Sequence, residues 1–168
     1  MSARSTLSGL MFALVIGACA PPANQGAAAP AAVDSAAVTA AVAYFWQQWI
    51  TADTTNSVDM QLGLMADSAR FDIRGMPPIV GRAAWKAVLE PMLKTAKYTS
   101  LMVMPDMTIP VTNELAYQNG SYMEGTTAAG KKSMEYGRYA TALRKDPDGK
   151  WRFAYIMVFA DSNVSGKK

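Results

Sequence analysis

The side chains able to do chemistry in this sequence are few, and histidine is not among them. Its absence removes imidazole general bases, Ser-His and Cys-His nucleophiles, and most zinc or iron sites. Cysteine occurs once, at Cys19, so the chain holds no internal disulfide and no thiolate cluster. What remains is carboxylates, tyrosines and methionines. Asp72 stands between Arg70 and Arg74; in an extended segment these three share one face, and their plain role is a surface ion pair worth about 0–1 kcal/mol. Glu124, Glu135 and Arg138 could meet across adjacent strands as a polar cluster, although a solvated pair is the plainer expectation. Met102, Met104 and Met107 form a Met-x-Met-x-x-Met pattern whose soft thioethers suit Cu(I). They lie in a strand-like segment that needs apolar side chains, so core filling is their expected role. No metal site and no cofactor is expected.

The N-terminus reads as an address rather than as structure. Met1 to Thr6 is short and polar, Leu7 to Ile16 is mostly apolar and too short to span a bilayer well, and Gly17-Ala18-Cys19 follows. The stretch Leu14-Val15-Ile16-Gly17-Ala18-Cys19 resembles the bacterial lipoprotein box, which implies that Cys19 is acylated and becomes the mature N-terminus. Several acyl chains anchor stably where one is marginal, and a lone exposed thiol after an export signal would otherwise be reactive. An ordinary cleaved signal with an incidental cysteine is the alternative. Ala20, where the resembling pattern would carry Asp for inner-membrane retention, favours the outer membrane on its periplasmic side. The expected organisation is a signal peptide over 1–18, the acylated cysteine with an Ala/Pro-rich tether over 19–33, a folded domain over 34–161 and a tail over 162–168.

Helices come first in the folded part. Asp34 and Ser35 can cap a helix whose Val38, Val42, Phe45, Trp49 and Ala52 form one apolar stripe. Asn56 and Ser57 open a shorter helix carrying Met60, Leu64 and Met65. A strand over Ala69 to Arg74 and a Gly75-Met76-Pro77-Pro78 turn follow, then a helix from near Arg82 that Pro91 should kink or break. Four strand-like segments close the chain: Tyr98 to Ile109, Leu115 to Thr126, Ser133 to Arg144 and Trp151 to Phe159. Helices followed by an antiparallel meander make an α+β plan.

Ala66-Asp67-Ser68-Ala69-Arg70-Phe71-Asp72, Pro77-Pro78-Ile79-Val80-Gly81-Arg82, Gly137-Arg138-Tyr139 and Asp148-Gly149-Lys150-Trp151 resemble the nuclear transport factor 2-like superfamily. Its bacterial members include ketosteroid isomerases and SnoaL-like cyclases. The resemblance implies a cone of about three helices on a curved, mostly antiparallel sheet. It also implies positions for the isomerases' aspartate base, tyrosine and second acid, which here fall on Ile73, Phe45 and Thr141. Ile73 cannot abstract a proton and Phe45 has no hydroxyl to donate, so of the three only Thr141 can offer a hydrogen bond.

The expected pocket is therefore an apolar one, with Phe45, Ile73, Ile156 and Val158 as wall and Tyr139 and Thr141 as polar handles. No catalytic residue is assigned. The expected function is binding of a small hydrophobic ligand without acid–base catalysis. An isomerase, cyclase or dehydratase using other residues is one alternative, and a partner-binding module with a filled cone is another. Apolar residues on both faces of Trp151 to Phe159 suggest a homodimer through the sheet. A net charge of +3, scattered rather than striped, speaks against nucleic acid.

Overall fold

The computed structural model describes residues 32–165. Helix α1 spans Ser35–Thr54 and is capped by Asp34, whose side chain accepts the Ala37 N–H at 2.9 Å. The whole expected stripe, Val38, Val42, Phe45, Trp49 and Ala52, is buried. Helix α2, Val58–Gly63, starts at a Ser57 cap, and Met65 already belongs to strand β1, Met65–Ile73. Strand β2 is the two-residue piece Ile79–Val80. Helix α3, Arg82–Thr95, runs through Pro91 rather than ending there. Leu89 and Leu93, both buried, seat the turns on either side of the proline against the core.

Long strands β3 (Ala96–Thr112), β4 (Leu115–Ala128), β5 (Lys131–Lys145) and β6 (Trp151–Ser165) complete the chain. The final strand thus continues four residues into the expected tail. The six strands form one sheet in the order β2-β1-β6-β5-β4-β3, antiparallel except for the β1–β6 pair. This is the expected α+β arrangement of N-terminal helices on a curved, mostly antiparallel sheet.

One register detail decides which side chains face inward on β6. Tyr155 pairs with Ala142 and Phe153 with Leu143, so Ala154 is an extra residue in a bulge. Phe153 and Ile156 consequently both face the helices. Strict alternation along β6 would put Phe153 with Tyr155 on the outer face; it fails there because a bulge flips the side-chain order. Phe153 is fully buried at the centre of the core, edge-on to Phe45, Trp46, Trp49 and Phe71 at ring distances of 4.7, 5.4, 4.8 and 5.8 Å.

The other face of the sheet carries no helix. Met102, Met104, Met107, Tyr117, Tyr136 and Phe159 are exposed on it. The three methionines therefore do not fill the core as their pattern suggested; they lie on the outer surface. Asp72 is on that side too. It receives Arg70 Nε at 3.0 Å and the Tyr155 hydroxyl at 2.9 Å, and the guanidinium holds its carboxyl below the usual range.

Candidate functional site

Between the helices and the inner face of the sheet lies a cavity of about 360 Å³, of the size that holds a small molecule. Ile73 from β1, Tyr139 from β5, and Ile156 and Val158 from β6 are on its wall, and the exposed Met76 and Lys97 stand at its rim. Strand alternation aims these residues inward: Ile73 pairs with Val158 in the parallel ladder while Asp72 turns out.

Two of the expected pocket residues are elsewhere. Phe45 is 1% exposed and packs into the core against Phe153; its neighbour Trp46 reaches the cavity instead. Thr141 is fully buried in the sheet, where its hydroxyl donates to the Tyr155 carbonyl at 2.6 Å, so it offers a ligand nothing. The Phe45 placement follows from the resemblance, where a shift of one residue around a helix turns a side chain from cavity to core; Thr141 shares the alternation of Tyr139 on β5 but lies in the packed part of the sheet beyond the cavity.

The cavity holds three carboxyls that the sequence reading left out of it: Asp53, Glu124 and Glu135. Asp53 sits one turn beyond Trp49 near the end of α1 and is 4% exposed. Its Oδ2 is buried with no hydrogen-bond partner, and desolvation raises its pKa to about 7. Glu124 on β4 is raised to about 8, first by burial and then by the charges of Asp53 and Glu135. Glu124 and Glu135 are direct cross-strand partners, both turned inward. The possible cluster with Arg138 is not formed, because Arg138 is on the opposite face, 3.7 Å from Asp161, and the favoured solvated pair is replaced by an inward-facing one. No group of three or more acidic side chains among the described residues is placed to hold a metal ion.

Glycines let the tyrosines lie against the wall. Tyr122 is paired across strands with Gly137, and Tyr139 with Gly120. A Cβ at Gly137 would lie 2.6 Å from Tyr122 Cε1, and one at Gly120 would lie 3.0 Å from Tyr139 Cε1. The Tyr122 hydroxyl reaches Glu135 Oε1 at 2.5 Å, which together with burial raises the tyrosine pKa. The Tyr139 hydroxyl and the Trp46 indole both donate to Gln118 Oε1.

The donors around the cavity are thus mostly committed. Tyr98 donates to Met92 Sδ at 3.5 Å and Trp85 to Gln61 Oε1 at 3.3 Å, in addition to Tyr122, Tyr139 and Trp46. Trp49 donates to none of the described residues. The acceptors, by contrast, are open: Asp53 Oδ2 and the whole Glu124 carboxyl receive no hydrogen bond from the described residues. Chemically the cavity is an aromatic and aliphatic chamber with surplus acid groups.

Comparison with known proteins places the chain. The structure of a ketosteroid isomerase-like protein from Erwinia carotovora superposes with a TM-score of 0.65 at 16% identity, covering 73% of this chain and 95% of that one. A protein from Novosphingobium aromaticivorans assigned as a scytalone dehydratase superposes with a TM-score of 0.68 at 14% identity, over 79% of this chain and 90% of that one. At these identities the likeness is one of fold. A tRNA 2-agmatinylcytidine synthetase of Methanosarcina mazei is 32% identical over 104 residues, 58% of this chain. The chain spans only 24% of that synthetase. A family model described as the SnoaL-like domain matches residues 30–156. The chain belongs to the SnoaL-like domain family, within the nuclear transport factor 2-like superfamily.

Proposed function

We propose that the cone is the active site of an acid–base enzyme that moves a proton on a small, largely apolar molecule. The observation that carries this is Asp53, a buried carboxyl with an unpartnered oxygen, on the wall of a mostly apolar cavity and raised to about 7. A desolvated carboxylate is a stronger base than one in water, and its pKa lies where base and product acid are both accessible at neutral pH. Glu124, raised to about 8, is then mostly protonated and supplies the returning proton. Two groups of one chemical type, held at different pKa values by their surroundings, divide the acid and base roles between them. The fold neighbours described as isomerase-like and as a dehydratase support the same class of chemistry.

The test is substrate-independent. The probe 5-nitrobenzisoxazole opens when a base removes its ring C–H proton, and it is flat and apolar enough for an aromatic chamber. The protein should accelerate the opening, with a rate that rises with pH through about 7 and falls at least about a hundredfold in Asp53→Asn. A rate unaffected by that substitution would overturn the proposal.

A second reading, binding without turnover, is favoured by the committed donors. Apart from Glu124 and Trp49 little is available to stabilise an oxyanion, which isomerase chemistry on a carbonyl needs. We also propose that the domain is lipid-anchored in the cell envelope through Cys19, outer membrane favoured; that residue lies outside the described part of the structure.

A further inference from the structure

Glu124 and Glu135 face each other across β4 and β5 on the cavity wall with no counter-charge from the protein. Like charges directly opposite destabilise a sheet. Arg138 is on the far side with Asp161, and the remaining cation of the lining, Lys97, is exposed at the rim. Independently, Asp53 on the wall of the same cavity has a buried oxygen with no partner. The tyrosine and indole donors that border it are spent on protein acceptors, save Trp49, and the Thr126 hydroxyl shares one hydrogen bond with Ser133. A chamber with surplus acceptors and few donors suits a ligand that brings donors and positive charge. Trp49, Trp85 and Tyr98 line the same chamber, and aromatic rings attract organic cations.

We infer that the ligand of the cone is an apolar amine, its ammonium seated between Glu124 and Glu135 and its hydrocarbon body against the aromatic wall beside Asp53. The inference rests on the reading of this cavity as the working site and deepens it: the seat turns the substrate's carbon skeleton toward the base. An amine that arrives neutral takes the proton Glu124 holds, and with such a substrate Asp53 itself returns the proton it removed. The ammonium–carboxylate pair so formed stays inside the wall, sheltered from screening by water. Anionic ligands of the same shape are rejected.

Three cage compounds test this with one shape and three charges: 1-aminoadamantane, 1-adamantanol and adamantane-1-carboxylate, titrated calorimetrically into the full-length protein at neutral pH. The amine should bind about tenfold tighter than the alcohol or better, the scale of one charge-assisted hydrogen bond, and the carboxylate should not bind. In the Glu124→Gln, Glu135→Gln double variant the gap between amine and alcohol should close. Should that variant fail to fold, Glu135→Gln alone, which still leaves Tyr122 an acceptor, should narrow the gap without closing it because Glu124 remains, and an unchanged gap overturns the inference. Equal affinity for amine and alcohol, no binding by any of the three, or a preference that survives the substitutions overturns the inference. Base-catalysed opening of the nitrobenzisoxazole without an amine preference would sink the inference and leave the proposed function standing. An amine preference without that activity would do the reverse.

Discussion

Asn56 grips the backbone of Tyr98 from both sides. Its Oδ1 accepts the Tyr98 N–H at 2.9 Å, and its Nδ2 donates to the Tyr98 carbonyl at 3.0 Å. A side-chain amide thereby stands in for a neighbouring strand at the start of β3. It ties the end of α1, three residues after Asp53, to the wall that carries Tyr98. Asn56 itself has φ 55°, the left-handed region that asparagine tolerates better than most residues.

Asn56→Ala should therefore loosen the base as well as the fold. Loss of two part-buried hydrogen bonds, with a side chain ill-suited to that φ, should cost about 1–3 kcal/mol in a denaturant melt. The nitrobenzisoxazole rate should fall with a changed pH midpoint, because Asp53 gains water. A stability and a pH midpoint equal to those of the parent would show that the clamp positions nothing.

The buried acids make stability depend on pH in an unusual direction. Asp53 is raised from 3.8 to about 7, so the folded state binds a proton that the unfolded chain releases between those values. Its contribution is fully present below pH 4, declines as pH rises, and is gone above about 7. Glu124 adds the same trend over 4.5 to about 8. Asp53→Asn should consequently be more stable than the parent at pH 8, by on the order of 2–4 kcal/mol, with the advantage shrinking toward pH 4. Thermal melts of both proteins across that range measure it, and a constant difference would count against burial of the acid.

The uncovered sheet face is proposed as a homodimer interface. Met102, Tyr117, Tyr136 and Phe159 are exposed there together, and a broad apolar patch usually marks an association surface. Sedimentation of the domain without its N-terminal 33 residues should give a dimer, and Tyr136→Asp should shift it toward monomer. A clean monomer of the parent at micromolar concentration contradicts the proposal.

Cys19→Ser should move the protein from the membrane fraction to the soluble fraction of its host. The apolar run before Ile16-Gly17-Ala18-Cys19 motivates this, and membrane association unchanged by the substitution would refute it.

Much of the fold was legible, because apolar period and turn chemistry are local signals. The α1 stripe, the Ser57 cap and the four long strands fall within a few residues of where the pattern put them. The parallel β1–β6 pairing, the two-residue β2 and the Ala154 bulge are set by contacts between distant segments, and nothing in the local sequence announces them. The site was read less well. Tyr139, Ile156 and Val158 follow from alternation and Ile73 from the resemblance, and all four line the cavity, whereas Thr141, on the same alternation, and Phe45, from the resemblance, lie in sheet and core. Asp53 did leave a trace: Trp46, Trp49 and Asp53 recur at steps of three and four, which puts an acid on a buried face. Glu124 hid because β4 inverts the usual expectation. Its inward residues include Gln118, Tyr122 and Glu124, while Leu115 and Tyr117 face out.

The place of β6 in the sheet has a consequence for the order of events in the life of the chain. The last strand to be synthesised is inserted between β1 and β5, and it brings Phe153, the ring on which four other aromatics converge. Until that segment emerges, β1 has only a two-residue partner, and α1 and β1 lack the ring at the centre of their core, although Trp46 can already meet Tyr139 and Phe71 can stack on Trp85. The ladder that completes the sheet joins residues more than eighty positions apart, a long-range pairing of the kind that closes slowly. Completion of the core is therefore expected to follow release of the C-terminal strand.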